Sequence, residues 1–223
     1  MSSASPKHEL FATFAEVARA LGHGHRLELL ELAAQGERSV DVLAERAGLS
    51  VANASQHLRL MRRAGLLASR RDGKRILYSL RDRSVLEMMM ALRHVAERNR
   101  AEVRDTIGSY FDSRDALEPV SRRDLSRRLR DGLVTVLDVR PADEYAAGHL
   151  PRAVNVPLRE VAKRLREFPK NREIVAYCRG PYCVLAFEAV ALLRRHGFNV
   201  HRLEEGFPEW AAAGLPVEQV AWR

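Results

Sequence analysis

Only two cysteines occur in the 223 residues, Cys178 and Cys183. In a reducing compartment so few thiols are a poor covalent framework, which leaves a close pair to reactive chemistry, metal binding or chance. Long apolar runs are also missing: no stretch nears the roughly 18 residues that a membrane helix requires. The N-terminal MSSASPKHEL lacks the apolar core of a secretion signal. No membrane partner is therefore expected, and the expected location is the cytoplasm. Internal repeats and low-complexity tracts are absent as well.

What is present is positive charge, concentrated in one place. The formal net charge is +8. Residues 59–83 alone hold nine Arg or Lys against Asp72 and Asp82, a local excess of +7. Such a focus suits a polyanion, because each phosphate neutralised releases counterions.

Apolar spacing from Glu9 to Ala34 predicts two helices broken around Gly22 and Gly24. Ser39 is placed to cap VDVLAERA, which Gly48 ends, and Ser50 to cap VANASQHLRLMRRA, which Gly65 ends. Two short helices joined by "GLS" form a helix-turn-helix. LLASR and RILYSL then read as strands around "RDGK", whose Asp-Gly is a strong hairpin signal. Helical period returns from Ser84 to about Tyr110, with an apolar stripe rich in Met that suits a packing or dimer face.

The polar segment from Phe111 ending in Pro119 places a linker at 111–118, between an N-terminal domain at 1–110 and a C-terminal domain at 119–223. Beyond it, helices are expected at Ser121 to Asp131, Leu158 to Phe168 and Val184 to His196, alternating with strands LVTVLDV, AVNV, EIVAY and NVHRL. That alternation predicts a parallel α/β sheet covered on both faces. The expected fold class is thus two domains, a mainly α winged helix-turn-helix followed by an α/β sheet domain.

In the helix from Val51 to Ala64, turning Val51, Ala54, Leu58 and Met61 inward leaves Asn53, Ser55, Gln56, Arg59 and Arg63 facing outward, able to bond base edges and phosphates. Arg70, Arg71, Lys74 and Arg75 of the hairpin are suited to the adjacent backbone or minor groove.

The pattern Ser55, His57, Leu58, Met61, Ala64, Gly65, Leu66 lies in a stretch that resembles the winged-helix repressors of the ArsR/SmtB family, over about residues 9–105. The resemblance implies a homodimer joined through the first and last helices of this domain, and double-stranded, palindromic operator DNA as partner. The family's metal sensors carry thiol pairs where this chain has Ser39, Val40 and Asp41, or Asp, His, His and Glu on the last helix. Here only His94 and Glu97 have the right spacing, with Arg83 in place of the earlier His. His23 and His25 are expected in a solvated turn. Too few ligands remain for a closed site, so no metal or other cofactor is expected.

Cys178 follows the strand EIVAY and opens the loop Arg179, Gly180, Pro181, Tyr182, Cys183, leading into a helix at Val184. A thiolate before a helix N-terminus has a lowered pKa and is a good nucleophile. Arg179 is a candidate contact for an anionic donor. Cys183 admits three readings, a resolving thiol that partners Cys178, a small buried residue starting the helix, or half of a two-cysteine metal site for which no further ligand is evident nearby.

Asp138, Arg140, Glu144, Tyr145, Gly148, His149, Pro151, Ala153, Asn155 and Pro157, followed by that cysteine, make residues 118–219 similar to a rhodanese domain. The resemblance implies that Cys178 takes sulfane sulfur from a small donor, holds it as a persulfide and passes it to a thiol acceptor. Asp138, Arg140 and His149 are expected to brace the strand ends. Related phosphatases carry Arg six positions after the cysteine, where this chain has Val184. The joint expectation is a DNA-binding repressor tuned by sulfane sulfur or redox state at Cys178. A sulfurtransferase that regulates its own gene and a catalytically idle module binding a thiophile or partner are the alternatives.

Overall fold

The computed structural model describes residues 5–112 and 119–220. The chain divides into two compact units, Met1–Met89 and Met90–Arg223. Residues 113–118 of the expected linker lie outside the described residues.

The first unit opens with helices α1 (Pro6–Leu21) and α2 (Gly24–Ala33). Between them Gly22 ends one helix, and the His23 ring accepts the His25 N–H to cap the next. Strand β1 (Arg38–Ser39) precedes α3 (Val40–Arg46), α4 (Val51–Arg63) and the hairpin β2 (Leu67–Asp72) and β3 (Arg75–Leu80). The three strands are antiparallel in the order β1-β3-β2, and the short β1 has no counterpart in the expected elements. Ser39 and Ser50 cap α3 and α4 by accepting the N–H groups of Val42 and Asn53. Gly48 and Gly65 end them at positive φ, 63° and 78°, which costs a residue without Cβ little.

The hairpin differs from expectation in one detail. Asp72 pairs with Arg75, so the two-residue loop is Gly73-Lys74, with Gly73 supplying the positive φ of 58°. Leu29, Leu30, Leu43, Leu58 and Met61 are fully buried together with Tyr78, each aliphatic side chain contributing about 1.5–3 kcal/mol.

Helix α5 (Arg83–Asn99) begins in the first unit, whose core takes Val85 and Met89, and ends in the second. The expected single helix to Tyr110 is interrupted. Arg100 is extended, α6 (Ala101–Thr106) starts after it, and a π-helical turn covers Ile107–Asp112. Asn99 uses its amide on the Val95 carbonyl at 2.8 Å, a local bond that competes with helix continuation.

The second unit contains α7 (Arg122–Arg130), β4 (Val134–Asp138), α8 (Ala142–Ala147), β5 (Val154–Asn155), α9 (Leu158–Val161), β6 (Glu173–Tyr177), α10 (Val184–Arg195), β7 (Val200–Arg202) and α11 (Phe207–Ala212). The strands are parallel in the order β5-β4-β6-β7. The helix expected over Leu158 to Phe168 is only one turn of α9 followed by a 3-10 turn at Leu165–Glu167. Pro169 bars Phe168 from helical geometry, and the extended Phe168 turns its ring edge-on to Phe198 in the core.

Alternation along β6 sets two cores apart. Ile174, Ala176 and Cys178 pack with Val190 and Leu193 of α10, while Val175 and Tyr177 pack with Leu125 of α7 and Trp210 of α11. Cys178 thus continues the face turned to α10. No described helix is long and apolar enough to cross a membrane.

Candidate functional site

Two separate groups of residues have the chemistry of sites, one in each unit. In the first, α4 buries Ala54, Leu58 and Met61 and exposes Asn53, Gln56, Arg59 and Arg63, with Ser55 half-buried. Val51, expected to face inward, is 49% exposed. It occupies the first helical position, just after the Ser50 cap and a turn ahead of the buried Ala54. Arg59 donates to the Ser55 carbonyl of its own helix at 3.2 Å.

On the hairpin, Arg71, Lys74 and Arg75 are exposed. Arg70 is engaged within the unit instead, donating to both carboxylate oxygens of Glu37 at 2.7 and 3.3 Å. This hydrogen bond, with the charge behind it, holds the Glu37 carboxyl below its usual range. Arg62, which period alone did not single out, reaches Ser69 at 3.3 Å. His57 of α4 gathers with His23 and His25, its ring centre 4.7 and 6.2 Å from theirs. Burial first, then the charges of His23, Arg26 and His25, lower its pKa. Among the described residues no group of three or more His, Cys, Asp or Glu is arranged to hold a metal ion.

The second site lies at the carboxyl end of β6, where ligands of open parallel sheets are bound. Cys178 directly follows the strand, and Cys183 is the N-cap of α10. The two are joined by a disulfide, with Cα atoms 6.1 Å apart. Between them the chain turns tightly, the Cys183 N–H donating to the Gly180 carbonyl at 3.1 Å. That bond and Pro181 remove two N–H groups from any cradle at the helix start. Cys178 is 1% exposed. The nucleophilic thiolate expected here therefore belongs to the reduced loop.

The loop is held from two sides. Arg179, expected to face an anionic donor, instead lays its guanidinium on Glu144, with contacts of 2.7 to 3.1 Å. Glu144 has no exposed surface, and a buried carboxylate claims a nearby cation because its desolvation must be offset. On the other side Gly206 abuts the loop backbone. A Cβ there would lie 2.3–2.4 Å from Arg179 and Gly180 atoms, so glycine is required by space. Phe207 adds an N–H bond to the Cys178 carbonyl at 3.0 Å.

Beneath the loop, the ends of β4 and β6 are pinned by a buried ion pair. Arg140 donates to Asp138 at 2.6 Å and to the Gly148 carbonyl at 2.7 Å. Tyr177 donates its hydroxyl to Asp138 and accepts the Leu150 N–H. Burial, with Asp138 beside it, pushes the Tyr177 phenol well above its ordinary pKa. Asn155 bridges the Asp138 and Arg140 carbonyls, and the His149 ring nitrogen lies 2.8 Å from the Tyr145 carbonyl. Sequence reasoning missed Gly206 and the role of Glu144, since a close approach and a buried pairing leave no mark in spacing.

A family model described as a rhodanese-like domain matches residues 121–213, and one described as a helix-turn-helix domain matches residues 13–70. An HTH-type transcriptional regulator of Mycobacterium tuberculosis, Rv0324, is 42% identical over 219 residues, 96% of this chain and 94% of that protein. A sulfurtransferase of Allochromatium vinosum is 35% identical over 100 residues, 44% of this chain and 92% of that protein. Among solved structures, the homodimeric winged helix-turn-helix DNA-binding domain of Mb0332 from Mycobacterium bovis is 31% identical. It covers 46% of this chain and 94% of its own, with a TM-score of 0.42.

Proposed function

The chain belongs to the HTH-type transcriptional regulators, joining a winged, ArsR-like helix-turn-helix to a rhodanese-like domain, and we propose that it is a repressor whose operator affinity is set by sulfur chemistry at Cys178. On the DNA side, Asn53, Ser55, Gln56, Arg59 and Arg63 read the major groove, and Arg71, Lys74 and Arg75 hold the flanking backbone. The protein acts as a homodimer through its first and last winged-helix elements. Leu10, Phe11 and Phe14 on α1 and Leu92 and Val95 on α5 are exposed large apolar side chains that support this.

The single observation that carries the sulfur chemistry is the pairing of the only two cysteines across one short loop, at a strand end and a helix start with Cα atoms 6.1 Å apart. In the reduced loop, the Cys178 thiolate attacks the outer sulfur of a sulfane donor. The new Cys–S–S⁻ bond forms as the donor's sulfur–sulfur bond breaks, and sulfite leaves when the donor is thiosulfate. The Cys183 thiolate then attacks the Cys178 sulfur, closing the disulfide and expelling hydrosulfide. A cellular thiol reductant, oxidised to its own disulfide, returns the loop to its starting state. The closed form buries Cys178, so donors meet only the reduced protein.

Intact-protein mass spectrometry with gel shifts tests this on wild type, Cys178→Ser and Cys183→Ser. A gain of one sulfur that needs Cys178, a two-hydrogen loss that needs both cysteines, and a changed operator affinity are expected. Operator binding indifferent to the donor, and the same in Cys178→Ser, would overturn the proposal. A second reading, a working sulfurtransferase with a self-regulating DNA-binding domain, is favoured by the likeness of 100 residues of the chain to a sulfurtransferase. Sustained transfer of sulfur from thiosulfate to cyanide by the full chain would support it.

A further inference from the structure

The loop that carries the disulfide is tied to helix α5 by two side chains on one face of that helix, four residues apart. The Tyr182 hydroxyl donates to Glu97 Oε1 at 2.6 Å. Tyr182 is the residue immediately before Cys183, so its position follows whatever the sulfur atoms do. Burial first, then the bond to Glu97, raises the phenol pKa, and the phenol remains a proton donor throughout the physiological range.

The second tie is indirect. Arg93 pairs with Glu209 at 3.2 Å. Glu209, itself buried, accepts the Gly206 N–H at 3.1 Å, and Gly206 is the residue pressed against the Arg179–Gly180 backbone. The Arg93 guanidinium also stands 5.9 Å from the centre of the Tyr182 ring. Both ends of the short loop therefore lead to the stretch of α5 from Arg93 to Glu97, all within the second unit. The same helix begins in the first unit, with Val85, Leu86 and Met89 buried. A cleft of about 620 Å³ is bordered by Tyr182, His94 and Phe187.

Resting on the reading above, we propose that Tyr182–Glu97 and Arg93–Glu209 are the positioning contacts through which α5 senses whether the cysteine loop is open or closed. Closing the disulfide links Cys178 and Cys183 and confines Tyr182 where it meets Glu97. Opening it removes that tether and lets the bond exchange with water. Because α5 is one continuous helix with its other end in the core of the DNA-binding unit, a change in its restraint there biases that unit.

The test measures operator affinity of the full chain in dithiol-reduced and disulfide forms, for wild type, Glu97→Ala, Glu97→Gln and Tyr182→Phe. Coupled sites commonly differ by about 5- to 150-fold, and Glu97→Ala and Tyr182→Phe are expected to bring the wild-type ratio below about twofold. Glu97→Gln, which keeps an acceptor oxygen, recovers part of it. Mass spectrometry shows the disulfide still closing in Glu97→Ala. Hydrogen exchange over residues 90–99 gives a readout independent of the operator. Protection is expected to differ between reduced and disulfide wild type and to be equal in Glu97→Ala.

If wild type switches and Glu97→Ala switches as fully, this inference is overturned while the sulfur reading stands. If wild-type affinity ignores the loop's state, the sulfur reading fails. Exchange over 90–99 that is the same in both wild-type forms overturns the inference on its own.

Discussion

Helix α4 and the loop before α10 are the two candidate sites of the chain, yet they are built on opposite principles. At α4 the fold supplies only a cap, a buried stripe of Ala54, Leu58 and Met61, and an address; the side chains suited to DNA are exposed, apart from the half-buried Ser55. At the cysteine loop every residue is buried or half-buried, and several are held by residues from distant parts of the chain. Arg179 rests on Glu144, Gly206 presses on Arg179 and Gly180, and Tyr177 leans on Asp138. A surface that waits for a polyanion needs freedom to reach it. The sulfur chemistry proposed for the loop calls instead for two cysteines held in register, which a close-packed frame supplies.

The contrast predicts that substitutions in the frame act on stability and those on α4 act on binding. The largest effect is expected for Asp138→Ala, which strands Arg140 as a fully buried cation and costs about 3–5 kcal/mol in urea unfolding. A loss below about 1 kcal/mol would mean that the pair is hydrated in solution. Next comes Gly206→Ala. Its Cβ meets backbone atoms that cannot rotate away, so a loss of about 1–3 kcal/mol is expected, with slower closure of the disulfide by mass spectrometry. Unchanged closure in a destabilised variant would separate packing from loop geometry.

On α4, Arg59→Ala and Gln56→Ala are expected to weaken operator binding by about 1–3 kcal/mol each while melting stays within experimental error. Full affinity in both variants would show that another element reads the operator. The smallest effect concerns Arg70. Glu37→Gln releases it toward phosphate, steepening the salt dependence of DNA binding by up to about one unit. Because Glu37 is held below its usual range, its grip on Arg70 is complete above the ordinary glutamate pKa. That grip is lost as the pH falls through the lowered value. Wild type and Glu37→Gln should accordingly differ at neutral pH and converge in acid.

The helix-turn-helix was legible because each of its signals is local. Serine caps, glycine stops and a 3.6-residue stripe act within a few residues, and Ser39, Ser50, Gly48 and Gly65 stand where those rules put them. The strands of the second unit were equally legible as apolar runs. Reading failed where a distant residue intervened. The cation expected for an anionic donor was already taken by Glu144, while two misses had local causes that periodicity alone overlooks, Pro169 turning Phe168 out of its helix and the Asn99 amide competing at the end of α5. Arg70 was likewise engaged by Glu37.

By itself the sequence determined the two fold types, the bounds of helix α4 and which cysteine follows the central strand, because periodicity and local capping are encoded in neighbouring residues. Only the tertiary structure decided which charges remain available, that Cys178 and Cys183 meet as a buried disulfide, and that Tyr182 and Gly206 link their loop to α5. Several of those outcomes depend on partners far apart in the chain, 35 residues for Arg179 and Glu144 and 116 for Arg93 and Glu209, and desolvation and close packing, which select such partners, exist only once the chain has folded.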